Sequence, residues 1–458
     1  MRVIICGSDQ VGASIAAYLS KEDNDVTVID SASENLTRIN NSLDVNTVTG
    51  YPSDPNTLNN AGANECDMII AVTEHDEINM VSCQVGHSLF GIPKKIARIR
   101  KQNYLDPSWS NLFSRAHMPI DVIISPEILV ANDILERLSI PGTTTAVSLG
   151  DGTAHLIGVI CLEDCPVLHT PLGQLGKLFP DLLFSIVSIT RGSKNIVPDD
   201  TDMLEVGDEA YIIVDSMHLR RVMAAFGHLE KEARKIIISG GGNIGISLIK
   251  KLQAQLSGVQ LKIIEHNYER ANFLSAELEN IIILNGNTLE RNIMEEASIS
   301  TAEAYIALMN DDESNILGSL LAKQYGCERV ITLVNNNAYY PLVGPLGIDA
   351  MVSPTSIIVS NIMQYVRRGR IISIHNIHEG ETEVIEIEIS DSSNVANKKI
   401  AEIDFPPSVV IGAIIRDKKI IIPEGDDKIK PQDRIIILSS SEHAREVEKM
   451  LSVHVDLL

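Results

Sequence analysis

Two glycine-rich turns hold the residue types best suited to chemistry: "GSDQVG" (Gly7, Ser8, Asp9, Gln10, Val11, Gly12) and "GGGNIG" (Gly240, Gly241, Gly242, Asn243, Ile244, Gly245). Each follows a short apolar run and leads straight into a helix-like stretch. An acid then ends the next apolar run, Asp30 in "VTVID" and Glu265 in "LKIIE". In such a layout the backbone N–H groups and the positive helix end face a phosphate, and the carboxylate about 20 residues later accepts hydrogen bonds from ribose hydroxyls. The chemistry is recognition of a nucleotide. One glycine pattern is weak evidence, whereas strand, turn, helix, second strand and terminal acid found twice in a chain is a strong signal. A carboxylate aimed at the 2′ position repels the extra phosphate of NADP, so NAD or an adenosine nucleotide is favoured.

The first turn departs from the pattern, because Asp9 stands where the middle glycine belongs. A carboxylate and a phosphate charge roughly 5 Å apart, at an effective dielectric near 20, repel by about 3 kcal/mol, or around a hundredfold in affinity. Three arrangements would ease this: Arg98 offsets part of it, a bound cation bridges the two anions, or Asp9 turns outward and caps the helix. The first site is therefore expected to bind more weakly, or with a different preference, than the second.

Further candidates lie where such sheets hold their ligands, at the C-terminal ends of the strands. "AVTEHD" places Thr73 and Glu74 there, with Met309 and Asn310 as second-half counterparts, and helix capping by Thr73 or Asp76 is the competing reading. In "KIARIR", Arg98 and Arg100 share a face, and in "RVITLV" only Thr332 occupies the matching place. An arginine at the mouth pairs with phosphate, or else it belongs to an exposed polar face.

The elements that must position these residues repeat. "RVIIC", "DVTVID", "NTVTG", "MIIAV", "KIARIR" and "DVIIS" alternate with helical patterns over 12–20, 32–40, 56–63 and 77–89 and a looser helical stretch. That alternation predicts a six-stranded, doubly wound parallel sheet. "KIIIS", "LKIIEH", "IIILNG", "EAYIALM", "RVITLV" and "DAMVSP" give the same order again. Gly7 matches Gly240, Asp30 Glu265, Gly50 Gly286, Asp76 Asp312 and Asn79 Asn315, all about 235 residues apart. After each such unit comes a β-rich piece reading as hairpin, loop, strand and short helix (218–226 and 442–451), with turns at 191–194 and 416–419. The fold class is α/β: two Rossmann-like doubly wound parallel sheets, each followed by a small β-rich α+β domain, in tandem duplication. The expected domains are 1–140, 141–229, 230–370 and 371–458.

Bulk properties narrow the function. With 458 residues, 44% hydrophobic and 22% charged, the chain is an ordinary multi-domain globular protein. A net charge of −23 argues against nucleic acid as partner. The densest basic run, Arg367-Arg368-Gly369-Arg370, reads as the last turn of a helix rather than a phosphate site. No apolar stretch reaches the 18 or so residues that span a bilayer, and the N-terminus begins directly with a strand, so a cytoplasmic protein is expected. Six cysteines form no disulfide framework, and Cys161 and Cys165 lack the second pair a zinc site needs. His375 and His378 would point to opposite faces of a strand, so no metal site is expected there.

The double layout, together with "AVTEHDEINMVSCQVGHSLFG" and "IARIR", resembles the family of regulators of potassium conductance, and most closely the regulatory subunits of Trk potassium uptake. The resemblance covers nearly the whole chain. It implies a peripheral protein at the inner face of the cell membrane that binds NAD(H), ATP or ADP, assembles as a homo-oligomeric ring of the large domains, and gates a membrane potassium transporter of the Trk type. The family's NAD positions carry over to Gly7, Ser8, Asp9, Gln10 and Val11, Asp30, Thr73 with Glu74, and Arg98, and in the second copy to Gly240 through Ile244 and Glu265. Asp9 and Thr332 are the departures.

Two other classes compete. An NAD-dependent oxidoreductase would need a base or proton relay beside the nicotinamide, and neither small domain offers histidines at matching positions. A nucleotide-binding scaffold without a membrane partner would share every motif. A regulator needs only that the nucleotide prefer one arrangement of the large domains.

Overall fold

The computed structural model describes residues 1–458 apart from 23, 193, 368–369, 378–381, 407 and 452–458. Strands β1 (Arg2–Cys6), β2 (Asp25–Asp30), β3 (Asn46–Thr49), β4 (Met68–Ala71), β5 (Lys94–Arg98) and β6 (Val122–Ile124) form a parallel sheet in the order β3-β2-β1-β4-β5-β6. This is the doubly wound order, and it reverses between β1 and β4, which opens a crevice beyond their C-terminal ends. The central strands are Val- and Ile-rich because helices cover both faces; Ile5, Val28, Ile69, Ile70 and Ile96 are wholly buried. Between β5 and β6 the looser helical stretch proves to be two short 3-10 turns, Gln102–Leu105 and Pro107–Trp109. Pro107 has no amide to donate, so it can open a turn but cannot continue a helix.

The small domain that follows is an antiparallel sheet of β7 (Thr143–Leu149), β8 (Ala154–Ile160), β9 (Phe184–Arg191), β10 (Lys194–Ile196) and β11 (Glu209–Asp215), ordered β10-β9-β11-β8-β7. The helix Leu219–Ala225 follows it. The second half repeats both sheets. β12 (Lys235–Ser239), β13 (Gln260–Glu265), β14 (Ile282–Asn285), β15 (Ala304–Ala307), β16 (Arg329–Leu333) and β17 (Ala350–Val352) take the order β14-β13-β12-β15-β16-β17. β18 (Ile371–Ile377), β19 (Thr382–Glu388), β20 (Val410–Arg416), β21 (Lys419–Ile421) and β22 (Arg434–Ser440) take the order β18-β19-β22-β20-β21.

The duplication reaches details that the strand pattern does not reveal. Arg191 at the end of β9 donates from Nε to Asp208 at 2.9 Å, and Arg416 at the end of β20 donates from Nε to Asp433 at 2.7 Å. Both aspartates are buried. The hairpin turn of the second copy sets Asp417 and Lys418 at positive φ, 52° and 59°, as a tight turn between twisted strands requires.

The chain divides into two compact units, Met1–Leu129 with Thr355–Met363, and Val130–Pro354 with Gln364–Leu458. Within the second unit the two small sheets share an apolar core built from Leu156, Tyr211 and Ile213 of one copy and Val384, Ile436 and Leu438 of the other. There, too, Arg329 at the start of β16 donates to the carbonyls of Arg137 and Thr143 at 2.8 and 2.7 Å. The first of these carbonyls belongs to the last turn of the helix Pro126–Ser139, whose negative end favours a cation.

His375 on β18 buries its Nε2 with no hydrogen-bond partner among the described residues. Burial pushes this imidazole down to about 4, with the Asp133 carboxylate pulling weakly upward. The unfolded chain takes up the proton near pH 6.5 while the folded one resists it, so stability present above pH 6.5 is lost as pH falls toward 4. Urea unfolding at pH 7 and 4.5 should show the wild type losing on the order of 2 kcal/mol more than His375→Gln. Equal losses would show that this ring does not titrate as its burial implies. His378 lies outside the described residues.

Candidate functional site

The first crevice is shaped by Gly7, whose φ of +115° turns the chain sharply after β1. A Cβ at Gly7 would stand 3.0 Å from the Thr73 backbone nitrogen, and one at Gly12 would run into the Gly7 carbonyl. Glycine therefore lets the turn, the helix and the loop after β4 approach one another closely. Asp30, at the end of β2, reaches back to the turn: one carboxylate oxygen accepts from Ser8 N and Ser8 Oγ, both at 2.6 Å, and the other from Ala32 N at 2.9 Å. An ionised carboxylate has about four acceptor positions, so Asp30 keeps capacity for a sugar hydroxyl. Val11 and Gly12 are buried in the opening of the helix Gln10–Lys21, and Gln10 is exposed.

Asp9 adopts two of the three arrangements considered above at once. Its Oδ1 accepts from Gly12 N at 3.0 Å, capping the helix, and its Oδ2 accepts from the Arg98 guanidinium, also at 3.0 Å. Arg98 is only 6% exposed, so it is not part of an exposed polar face. Its Nε, also buried, has no partner among the described residues. Arg100 lies past the end of β5 and pairs with Glu127 at 3.3 Å, so the two arginines do not act together.

Thr73 is held rather than holding. The wholly buried Asn79 accepts from Thr73 N (2.9 Å) and Thr73 Oγ1 (2.7 Å) and donates to the carbonyls of Thr73 and Arg98. This one amide ties the C-terminal ends of β4 and β5 together. Asp76 accepts from the amides of Arg100 and Lys101 instead of capping its helix, and Glu74 is exposed. Asn315 and Asp312 repeat both roles, on Met309 and Leu333 and on Asn335 and Asn336. The sequence showed these residues as matched pairs without disclosing what they do.

The same hydrogen bonds correct one correspondence. Asn79 reaches the Arg98 carbonyl and Asn315 the Leu333 carbonyl, so Leu333, not Thr332, is the counterpart of Arg98. Thr332 pairs in register with Ala307 as Ala97 does with Ala71, and its hydroxyl is bonded to Ser319 at 2.6 Å inside the fold. The strand patterns alone misaligned the two copies by one residue, and a shift of one turns a side chain to the other face.

In the second crevice Gly240 has φ +106°, and a Cβ there would lie 2.6 Å from the Leu308 carbonyl oxygen. Glu265 accepts from Gly241 N at 2.8 Å and from Asn267 N at 2.9 Å, the counterpart of Asp30. Gly242 occupies the position of Asp9, is exposed, and would have nothing within 4 Å of an added Cβ. Asn243 and Ile244 begin the helix Asn243–Gln255, and Gly245 packs under Gly240. Sequence reasoning missed Arg270, whose Nε donates to the Gly241 carbonyl at 2.8 Å and whose guanidinium lies 3.4 Å from the Asn243 side chain. A basic residue shortly after the strand-ending acid was the signal available. The second turn thus carries a cation where the first carries a closed acid–base pair. Among the described residues no cluster of three or more His, Cys, Asp or Glu is placed to hold a metal ion, and the six cysteines are buried free thiols.

Residues 3–126 and 236–354 match the TrkA-N domain family, and residues 384–452 match the TrkA-C domain family. The chain is 43% identical over 456 residues to the Trk system potassium uptake protein TrkA of Azorhizobium caulinodans, covering 100% of both chains. It is 36% identical to the protein of the same name from Halomonas elongata, covering 99% of each. Among solved structures, the GsuK RCK domain aligns with a TM-score of 0.60 at 18% identity, over 98% of this chain and 94% of that one. The GsuK channel bound to NAD aligns at 0.61 and 19%, over 98% and 78%. At such identities these structures speak for the fold. No helix of the described residues is long and apolar enough to cross a membrane.

Proposed function

The chain belongs to the TrkA family of Trk-system potassium uptake proteins, and from that membership and the geometry of its crevices we propose a nucleotide-sensing regulatory subunit. It sits at the cytoplasmic face of the cell membrane, binds NAD(H), with ATP or ADP as the competing adenine nucleotides, and gates a Trk-type potassium transporter by a change in the arrangement of its large domains. Those domains, 1–140 and 230–370, assemble with other copies into a ring, while 141–229 and 371–458 act as the small regulatory domains.

The observation that carries this reading is the second crevice. An open glycine turn, a helix N-terminus, an arginine over the turn and a strand-ending glutamate converge on one place, and the turn, the helix start and the strand-ending acid recur in the first half. At the two crevices the acids hold backbone amides, Arg270 holds a backbone carbonyl and Arg98 holds the Asp9 carboxylate; binding and release ask nothing more of them. We take the protein to be a switch and not an enzyme on that ground. The GsuK channel bound to NAD and the GsuK bound to ADP share the fold and lend support to that choice of ligands.

Thermal-shift and titration measurements with NAD, NADH, ATP, ADP and NADP on the full chain test it. Ligand at a hundred times its Kd should add about 2.7 kcal/mol of stability, with NADP the weakest of the five and no turnover at 340 nm. Indifference to all five, or steady turnover, would contradict the reading. Recovery of the chain with a membrane potassium transporter separates the regulator from a scaffold.

A further inference from the structure

Resting on the nucleotide reading of the second crevice, we propose that Asp9 is a built-in stand-in for a ligand phosphate, so that the first crevice is permanently self-occupied and each chain takes up one diphosphate nucleotide, at the second.

The groups that would receive a phosphate at the first turn already have an anion. Asp9 Oδ1 takes the Gly12 amide at the helix N-terminus, and Asp9 Oδ2 takes the guanidinium of Arg98 reaching across from β5. These are a helix-end donor and a buried arginine, the two kinds of partner that favour phosphate oxygens. The carboxylate is tethered, so it competes for them as an intramolecular ligand at high effective concentration. A diphosphate entering here would have to break the Arg98–Asp9 pair, whose cation is 7% and whose acid is 29% exposed, and then stand beside both Asp9 and Asp30.

The second copy serves as an internal control. Gly242 replaces Asp9 and leaves its side-chain space open, Leu333 replaces Arg98, and the added cation is Arg270, which meets no acid from the turn itself. One crevice thus carries its own counter-anion, and the other carries a cation and room for the ligand's. In consequence the first half holds an occupied-like arrangement at all nucleotide levels, and the second half alone follows them.

Isothermal titration of the full chain with NAD, and separately with ADP, counts the sites. The wild type should bind one per chain. Asp9→Gly and Asp9→Ser should bind two, the serine variant retaining an oxygen to cap the Gly12 amide in case glycine unsettles the helix. Gly242→Asp should lose the wild-type site, with affinity down about a hundredfold or more. Two sites in the wild type, or one site in both Asp9 variants, would overturn the proposal while leaving nucleotide binding intact. A wild type that binds none while the Asp9 variants bind one would uphold it and overturn instead the reading of the second crevice. If none of these proteins binds nucleotide, both fall.

Discussion

Replacing Gly240 with alanine should destabilise the protein by about 3 kcal/mol or more and remove nucleotide binding at the second crevice. Two effects act together. The residue sits at φ +106°, which an L side chain adopts only under strain, and its Cβ would stand 2.6 Å from the Leu308 carbonyl oxygen and 2.8 Å from the carbonyl carbon. Those are backbone atoms at the end of β15 and cannot rotate away. Relief demands that the turn move off the sheet, which carries Gly241 away from Glu265 and spoils the convergence of donors. The matching change, Gly7→Ala, meets its nearest atom at 3.0 Å and should be milder. Chemical denaturation with titration on each variant checks both. A Gly240→Ala protein of wild-type stability and affinity would show that the close passage of turn and loop is not what shapes the crevice.

Loss of Arg367 should cost about 3–5 kcal/mol. Its guanidinium, directly after the helix Pro354–Val366, is bound at 2.7 Å to Glu383 on β19 and at 3.0 Å to Glu448 in the helix Ala444–Leu451. Arg367 and Glu383 have side chains 2% and 0% exposed, and burial pushes the Glu383 carboxyl up despite the arginine. Arg367→Met would strand two carboxylates away from water. Lysine should recover part of the loss, since a single ammonium cannot serve both acids as a planar fork does. Adding Glu383→Gln to Arg367→Met should recover more, because it removes one uncompensated charge. Urea unfolding of the three proteins decides this, and a single variant within 1 kcal/mol or so of wild type would show the cluster to be better solvated than its burial implies.

Much of this architecture could be read from the residues, for identifiable reasons. Short Val- and Ile-rich runs between amphipathic helices have few other ways to bury both faces, so all twelve strands of the large sheets were legible, and so was the repeat. The small domains were half legible. Their second hairpins announce themselves by turn residues such as Asp417 and Lys418; β7 and β8 flank a turn of the same kind, Gly150-Asp151-Gly152, that the strand pattern left unread, and β18 and β19 emerge through pairing. In the crevices, Gly7, Asp30, Gly240 and Glu265 could be placed because backbone geometry dictates their types. Arg270, Asn79 and Asn315 could not be given their roles, since each also reaches a backbone group on another element, Gly241, Arg98 and Leu333, that the sequence does not bring near. The alignment of Arg98 with Thr332 failed for the same reason, and the asparagine bonds to Arg98 and Leu333 correct it.

The central claim is that the second crevice receives a diphosphate on its amides and a ribose on its glutamate. A crystal of the full chain grown with NAD tests it most directly. The expected result is diphosphate oxygens within about 3 Å of the amides between Gly241 and Asn243, and Glu265 accepting from a ribose hydroxyl. A second crevice that stays empty at saturating NAD, or a nucleotide bound there with Glu265 turned from its sugar, would contradict the account.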